Sequence, residues 1–494
     1  MSARRLRLHT QHDAIVLMRE DCAVCRAEGH APRSQVLLLA NGREVMATLY
    51  QIGDDMLQAG EAGLSEAAWR RLGVSEGDPI VVRHPPALAS VSSMRRRIYG
   101  RRLDAAEMKS IVGDIAAGRY SDVHLAAFVT ACSALPLDLD EVVHLTRAMV
   151  GAGQRVEWPA SVVIDKHSVG GLPGNRTTPI VVAILAAHGL VVPKTSSRAI
   201  TSPAGTADVM ETLTNVDLDL AAMRKVVERA GGCLVWGGAV DLSPADDLLI
   251  RVERVLDIDT QGQMVASVLS KKVAAGSTHV VIDIPVGLTA KVRSQEDADA
   301  LSNMLAAVGR ACGVEVRCVA TDGAQPVGRG IGPALEARDV LAVLQGATAA
   351  PADLRRRACL LSGAALELAR AAEPGAGGAL AQATLADGRA WAKFQQICEA
   401  QGGLREPPRS SVSRPICAEH GGRLVAINNR TLARLAKLAG APDDKAAGVE
   451  LHVRLGVEVA AGEPLLTVHA EAAGELAYAL DFARANPDLM VIEP

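Results

Sequence analysis

The sequence predicts an α/β protein: a helical domain joined to a mostly parallel α/β domain, with an N-terminal β-rich unit and a C-terminal α+β module. Three observations carry this prediction. From about residue 160 to 320, apolar strand-like runs alternate with helix-like runs, the pattern of βαβ units. Apolar residues make up 49% of the chain but include only 3 Phe, 4 Trp and 4 Tyr, so the core is aliphatic and Ala-rich, as suits helices packed on parallel strands. At both ends of the chain the alternation gives way to short strands around turns.

In order along the chain, residues 1–88 form the β-rich unit. Gln35–Ala40 and Glu44–Tyr50 are strand-like runs separated by Asn41-Gly42, a hairpin signal, and Ile80–Val82 repeats the strand pattern before His84-Pro85-Pro86. Residues 89–160 are helical, with Ser121 as an N-cap and a second helix over Asp140–Val150; about 245–275 joins this domain. Residues 161–404 are the α/β domain. Its expected strands are Ser161–Asp165, Leu190–Pro193, Cys233–Trp236, His279–Pro285 and Val314–Ala320, with helices between them, among them Pro179–His188. Glu373–Ala379, rich in glycine, reads as a flexible joint. Residues 405–494 form the C-terminal module.

Net charge is −4 and no long basic run is present, which argues against nucleic acid as partner. The densest basic cluster, Arg95–Arg97 with Arg101 and Arg102, reads as a solvated linker face. Nine cysteines, an odd number in a long chain without a secretory leader, predict a reduced, cytoplasmic protein. Cys22 and Cys25 form one C-x-x-C without a second ligand pair at metal-binding spacing, so no metal is predicted. No apolar run fits a membrane span.

The segment Asp165–Pro179 carries the strongest chemical signal. A strand ends, the glycines Gly170, Gly171 and Gly174 follow, and a helix begins, with Thr178 as its expected N-cap and Pro179 as its expected first residue. Glycines let backbone N–H groups approach an anion, and a helix N-terminus adds positive potential. Lys166 and Ser168 stand beside that cradle. A tight turn with a solvated Lys166 is the competing reading. Lys194–Thr206 is a second strand-to-helix loop, with Lys194, Arg198 and six hydroxyls; Ser202-Pro203 could equally be an ordinary helix cap. In a doubly wound sheet such loops converge on one crevice. In a third segment, Ser267 and Lys271 are four apart on one helix face, and Asp259 precedes that helix. Lys271 could equally be a solvated surface lysine. Lys291 follows the strand His279–Pro285.

At these residues the sequence resembles the pyrimidine-nucleoside phosphorylase family. Lys166-His167-Ser168-x-Gly170-Gly171, Ser196-x-Arg198 with Thr206, and Ser267-x-x-x-Lys271-Lys272 occur in that family's order, and the resemblance runs from about 95 to 494. It is nearest to the long branch, which holds archaeal AMP phosphorylases and bacterial thymidine phosphorylases. Ser197–Ser202, Thr321–Gly332 and the extra N-terminal unit are like that branch.

The resemblance implies a barrel-sandwich-like C-terminal module, although no lysine is placed there for lipoylation or biotinylation. It implies phosphate held by Lys166, Ser168, Thr178, Ser196 and Thr206. It implies a nucleoside or nucleotide against Gly171, Ser197, Arg198, Ala199, Ile200, Thr201, Ser202, Ser267 and Lys291, and catalytic roles for Asp259, His167 and Lys271. Asp259 matches the proton donor of the AMP branch, and His167 the active-site histidine of the short thymidine phosphorylases. In one place the chain departs from the pattern: Val252 stands where the short enzymes carry a pyrimidine-contacting arginine, with Arg251 and Arg254 nearby.

The implied reaction is phosphorolysis of thymidine to thymine and 2-deoxy-α-D-ribose 1-phosphate. AMP phosphorolysis to ribose 1,5-bisphosphate is the alternative, with Arg198, the 197–202 hydroxyls and Lys291 as the second anion pocket, and a non-catalytic nucleotide-binding assembly protein is the more distant one. No cofactor is implied, inorganic phosphate being a co-substrate, and the expected assembly is a homodimer or larger homo-oligomer.

Overall fold

The computed structural model describes residues 1–494 apart from His12, Asp54, Asp55, Asn175, Ile200, Thr201, Asp241 and Asp259. By its contacts the chain divides into two compact units, one of Met1–Leu135 with Leu248–Ile258, the other of Pro136–Asp247 with Asp259–Pro494.

The first unit contains a six-stranded mixed sheet, in spatial order Ser2–Arg5, Glu61–Leu64, Ile15–Arg19, Arg43–Ile52, Gln35–Ala40 and Val81–Arg83. Strict alternation in Gln35–Ala40 sends Val36, Leu38 and Ala40 inward. The expected hairpin is present, with Ala40 opposite Arg43 and positive φ at both Asn41 and Gly42, the turn that matches strand twist. Helices Ala89–Ile98, Ala105–Ala116 and Asp122–Ala134 complete this unit, the second capped by a reciprocal Asp104–Glu107 box. The basic cluster is not uniformly solvated: Arg97 is fully buried and donates to the Leu135 carbonyl, while Arg96 pairs with Glu107. Helical spacing turns Arg97 inward while its neighbours face out.

The second unit is built on parallel strands. Glu315–Asp322, His279–Val286 and Ile164–Ser168 form one parallel sheet, and Val192–Ser196 pairs in parallel with Gly232–Trp236. A parallel bridge between Val163 and Val191, with Ile164 N–H donating to Val191 O, joins the two into one row. The chain's first strand of the row thus lies between its second and its fourth. Connections leave in opposite directions from that point, which makes the carboxyl end of Ile164–Ser168 the topological switch point of the sheet.

Helix Thr177–Ala187 is buried along nearly its whole length and packs with helices Pro333–Leu344, Ala352–Leu368, Gly377–Ala386 and Arg389–Ala400 around a core whose one fully buried aromatic, among the described residues, is Phe394. Two sequence expectations change here. The helix begins at Thr177 behind Arg176, so Thr178 is not its N-cap and Pro179 is its third residue, where a missing N–H still costs no intrahelical bond. Residues 373–379 are not a joint either. Gly377 opens a helix whose backbone lies against Gly363 so closely that a Cβ on either glycine would strike the other residue's backbone. Glycine here serves close helix packing rather than flexibility.

Helices Leu139–Ala152 and Gln261–Ala274 pack on one another in this unit, Gly262 fitting against Leu137 and Val142. The C-terminal region forms two antiparallel sheets, one containing Val412–Cys417, Gly448–Leu451 and Pro464–Ala470 and the other Gly422–Ile427 and Met490–Glu493, with helices Asn429–Leu438 and Ala473–Ala485 over a shared apolar core. Among the described residues no helix is long and apolar enough to cross a membrane.

Candidate functional site

The site grows from the carboxyl end of the strand Ile164–Ser168. Successive side chains of a strand point to opposite faces, and here both faces are used. Asp165 is fully buried and takes two lysines: Lys272 Nζ at 2.7 Å from Oδ2 and Lys194 Nζ at 3.3 Å from Oδ1. Lys194 belongs to the neighbouring strand Val192–Ser196 and Lys272 to the helix Gln261–Ala274, so one carboxylate ties together the three segments that the sequence marks as chemical. Burial pushes Lys194 well below the usual lysine range, with Asp165 opposing that and Lys272 adding to it.

Lys166 is also fully buried, which excludes the solvated reading. Its Nζ donates to Thr177 Oγ1 at 2.6 Å and lies 3.4 Å from Thr178 Oγ1, on the first turn of the helix Thr177–Ala187. Burial lowers the ammonium to about 8, against the pull of Asp283 and with help from Arg357. It is therefore predominantly a cation at neutral pH. A lysine, two threonine hydroxyls and a helix N-terminus thus converge on one point, the ingredients of an anion site.

Ser168 donates to Asp283 Oδ2 at 3.1 Å. Asp283, buried in the strand His279–Val286, also accepts from Thr321 Oγ1 at 2.6 Å, and Arg357 donates to Thr321 Oγ1 at 2.8 Å and to the Asp322 carbonyl at 2.5 Å. The loop between strand and helix then closes over this group. Gly174, at φ 130°, lies so close that a Cβ would meet Asp283 Oδ2 at 2.7 Å and Ser168 Oγ at 2.8 Å. Gly170 and Gly171 also have positive φ, and Gly170 leaves room for the Lys291 side chain, whose Cδ would lie 3.3 Å from a Cβ there. His167 is half-buried; burial, then Lys272 and Lys194, hold it well below the ordinary histidine range, so its ring is neutral.

The second loop is organised by acidic residues on the helix Thr206–Glu211. Asp208 accepts from the N–H groups of Ala199 (2.6 Å) and Gly205 (2.9 Å), folding residues 197–199 against the helix start. Gly205 is the residue before that helix, so Ser202 is not its cap; Ser202 is buried and donates to Ala204 O at 2.9 Å. Arg198 forms a two-pronged pair with Glu211 at 2.7 and 2.8 Å and lies 4.8 Å over the Trp236 ring, while Lys445 also reaches Glu211 at 2.7 Å. Thr206, Ser196 and Ser197 lie in this loop cluster, Ser196 donating to Ser197 O at 3.1 Å.

Lys271 is not simply a surface lysine, for its Nζ lies 2.5 Å from Oδ2 of the buried Asp246. Ser267, one turn earlier, is half-buried on the same face. Asp259, Ile200 and Thr201 lie outside the described residues. Arg251 is engaged in the first unit, with Asp13 at 2.8 Å and Asp122 at 2.5 Å; Val252 is buried and Arg254 exposed. Sequence reasoning missed Asp165's pairing role, and Asp208, Glu211, Asp283, Thr321 and Arg357 altogether. The signal for Asp283 was available: an acidic residue inside an apolar parallel strand needs a buried partner.

Residues 91–153 match the family described as the helical bundle domain of a glycosyl transferase family, 160–391 its a/b domain, and 424–489 the pyrimidine nucleoside phosphorylase C-terminal domain. A protein of Chelativorans sp. (strain BNC1) named "Putative thymidine phosphorylase" is 65% identical over 100% of this chain and 97% of its own length. One with the same name from Tolumonas auensis is 61% identical, covering 100% and 98%. The anthranilate phosphoribosyltransferase of Thermus thermophilus shares the fold, with a TM-score of 0.54 at 21% identity over 63% of this chain and 99% of that one.

Two outcomes follow from this geometry. Asp165→Asn leaves two lysines facing one another in a dry site, and loss of one partner of a buried pair costs about 3–5 kcal/mol; urea unfolding reads the change, and an unaltered midpoint would contradict the pairing. Lys166 is charged below its pKa of about 8 and neutral above it. Affinity for an anion at this ammonium, probed with phosphate, is therefore expected to hold below about pH 8 and to fall as pH rises through that value. In Lys166→Ala it is weak throughout, without this alkaline limb, as titration of phosphate protection against unfolding shows.

Proposed function

The chain belongs to the thymidine/pyrimidine-nucleoside phosphorylase family and is a pentosyltransferase, and from that premise we propose that it cleaves thymidine with inorganic phosphate, yielding thymine and 2-deoxy-α-D-ribose 1-phosphate. The observation that carries the reading is the cation Lys166 set on the first turn of the helix Thr177–Ala187, at the sheet's switch point.

Phosphorolysis forms a bond between a phosphate oxygen and the sugar C1′ and breaks the bond from C1′ to the base nitrogen. Positioning phosphate below C1′ is the larger part of the task, because it turns an encounter between two solutes into a reaction within one site. Lys166, Thr178 and the Ser168–Gly174 loop are suited to that, with Ser196 and Thr206 on the neighbouring loop. Phosphate's own charge opposes the positive charge that grows on the sugar ring. The departing base takes a proton or leaves as an anion. Asp259 is assigned the proton donor's role, and Lys271 and the neutral His167 the stabilisation of the leaving base. Gly171, Ser197–Ser202, Ser267 and Lys291 are assigned to the nucleoside. The reaction needs no organic cofactor.

The commitment of Arg198 to Glu211 supports a nucleoside over a nucleotide, since a 5′-phosphate would have to win that guanidinium from a carboxylate already bound through two bonds. One observation favours AMP as a second reading: Val252 cannot donate to a pyrimidine, and Arg251 beside it is engaged with two aspartates. We also assign the enzyme to the cytoplasm, in keeping with its nine cysteines, an odd number, as a homodimer or larger homo-oligomer.

Purified protein incubated with phosphate and, separately, thymidine, uridine, AMP, CMP and UMP is expected to release free base fastest from thymidine, and only when phosphate is present. Fastest release from AMP transfers the assignment to the nucleotide reading, and no release from any of the five contradicts both.

A further inference from the structure

The C-x-x-C of the N-terminal unit lacks a regular second ligand pair in sequence, but the fold supplies other ligands beside it. Helix Ala23–Glu28 begins after Cys22, and its last residue, Glu28, is followed by Gly29 in the left-handed conformation. That turn sends His30 back under the sheet. His30 is only 4% exposed, yet neither Nδ1 nor Nε2 has a hydrogen-bond partner. A buried imidazole with both nitrogens unpaired is costly unless something else uses a lone pair.

What faces it is a second imidazole. His84 follows the sheet-edge strand Val81–Arg83, and the two ring centroids are 4.3 Å apart. Nε2 of His84 lies 2.7 Å from the Glu28 backbone oxygen. A carbonyl only accepts, so Nε2 carries the proton and Nδ1 keeps its lone pair. This is the usual setting of a metal-binding histidine, whose other ring nitrogen donates to a carbonyl or carboxylate. Oε2 of Glu28 is 3.6 Å from that same Nε2, so a turn of the exposed His84 ring is needed to bring Nδ1 to the carboxylate. One ligand atom from each of Glu28, His30 and His84 lies within 4.8 Å of the others.

We propose that Glu28, His30 and His84 bind one divalent transition metal of the zinc class, with water in the remaining position. Two imidazoles and a carboxylate are a recurrent zinc set. Ligand atoms around such an ion lie roughly 3.4 Å apart, at metal–ligand distances near 2.1 Å. The closure needed falls on Glu28 and His84, whose side chains are half exposed and able to turn. Cys22 and Cys25 are outside the set: Cys25 is packed into the core of the unit against Cys22 and Gln51, and burial raises its thiol to about 11. The ion would clamp the end of the helix Ala23–Glu28 to the sheet-edge strand, a structural role separate from the proposed reaction. A ligand held only by the folded chain stabilises it.

The test uses the full-length protein, stripped with a chelator and titrated with Zn²⁺ and with Co²⁺. One ion per chain by elemental analysis after dialysis is expected, together with a higher unfolding temperature. His84→Ala and Glu28→Gln, both at half-exposed positions, are expected to weaken binding by about 100-fold or more, since even outer-shell losses cost 10- to 100-fold. Cys22→Ser is expected to bind as tightly as the native chain. The Co²⁺ form is expected to lack a thiolate charge-transfer band. Substoichiometric binding, equal binding by His84→Ala, or a charge-transfer band lost in Cys22→Ser would each overturn the assignment.

Discussion

The proposed site depends on one buried carboxylate. Asp165 sits in the dry interior of a parallel sheet, where an unpaired charge is not tolerated, and it is satisfied by Lys194 from the adjacent strand and Lys272 from a helix far along the chain. These two pairs bring strand, loop and helix together in one place. They also leave a surplus. With Lys166 alongside, three buried lysines face two buried aspartates, Asp165 and Asp283, and Asp283 is shared with Ser168, Thr321 and Arg357. A cluster of this kind favours an anion, and burial rather than lack of partners has lowered Lys166 and Lys194.

The topology explains why such a cluster belongs at this spot. In the row of parallel strands, Ile164–Ser168 is flanked by the chain's second and fourth strands, so the strand order reverses there, the place where open α/β sheets commonly take a ligand. The glycine loop then has to cross the Ser168–Asp283 bond at close range. Gly174 does so only because it has no side chain and adopts φ 130°. Loop composition, strand order and ion pairing are thus three expressions of one requirement, a compact arrangement suited to an anion at the carboxyl end of a central strand.

Much of this was legible in the sequence. The alternation of strands and helices marked the α/β domain, and Lys166, Ser168 and the three glycines marked the loop, because these signals are local. The helix start was misjudged by two residues: Thr178 looked like a cap, but Arg176 precedes the helix, and Thr177 turns its hydroxyl back to the Gly174 carbonyl at 2.7 Å and begins the helix itself. Partners distant in sequence could not be read. Asp283 lies 115 positions from Ser168, and nothing in either neighbourhood announces the other. Glu211 likewise carries no signal of its own in the sequence, and only the fold shows that it occupies the fork of Arg198. His30 and His84 are of the same kind, unremarkable until the sheet edge brings their ring centroids within 4.3 Å of one another.

The central claim is that phosphate, rather than water, takes the sugar from the base. Phosphorus-31 NMR of the native chain with thymidine and excess phosphate tests it most directly. A new sugar 1-phosphate resonance that grows in step with free thymine is the predicted result. Thymine released without that resonance, as hydrolysis would give, would contradict the account.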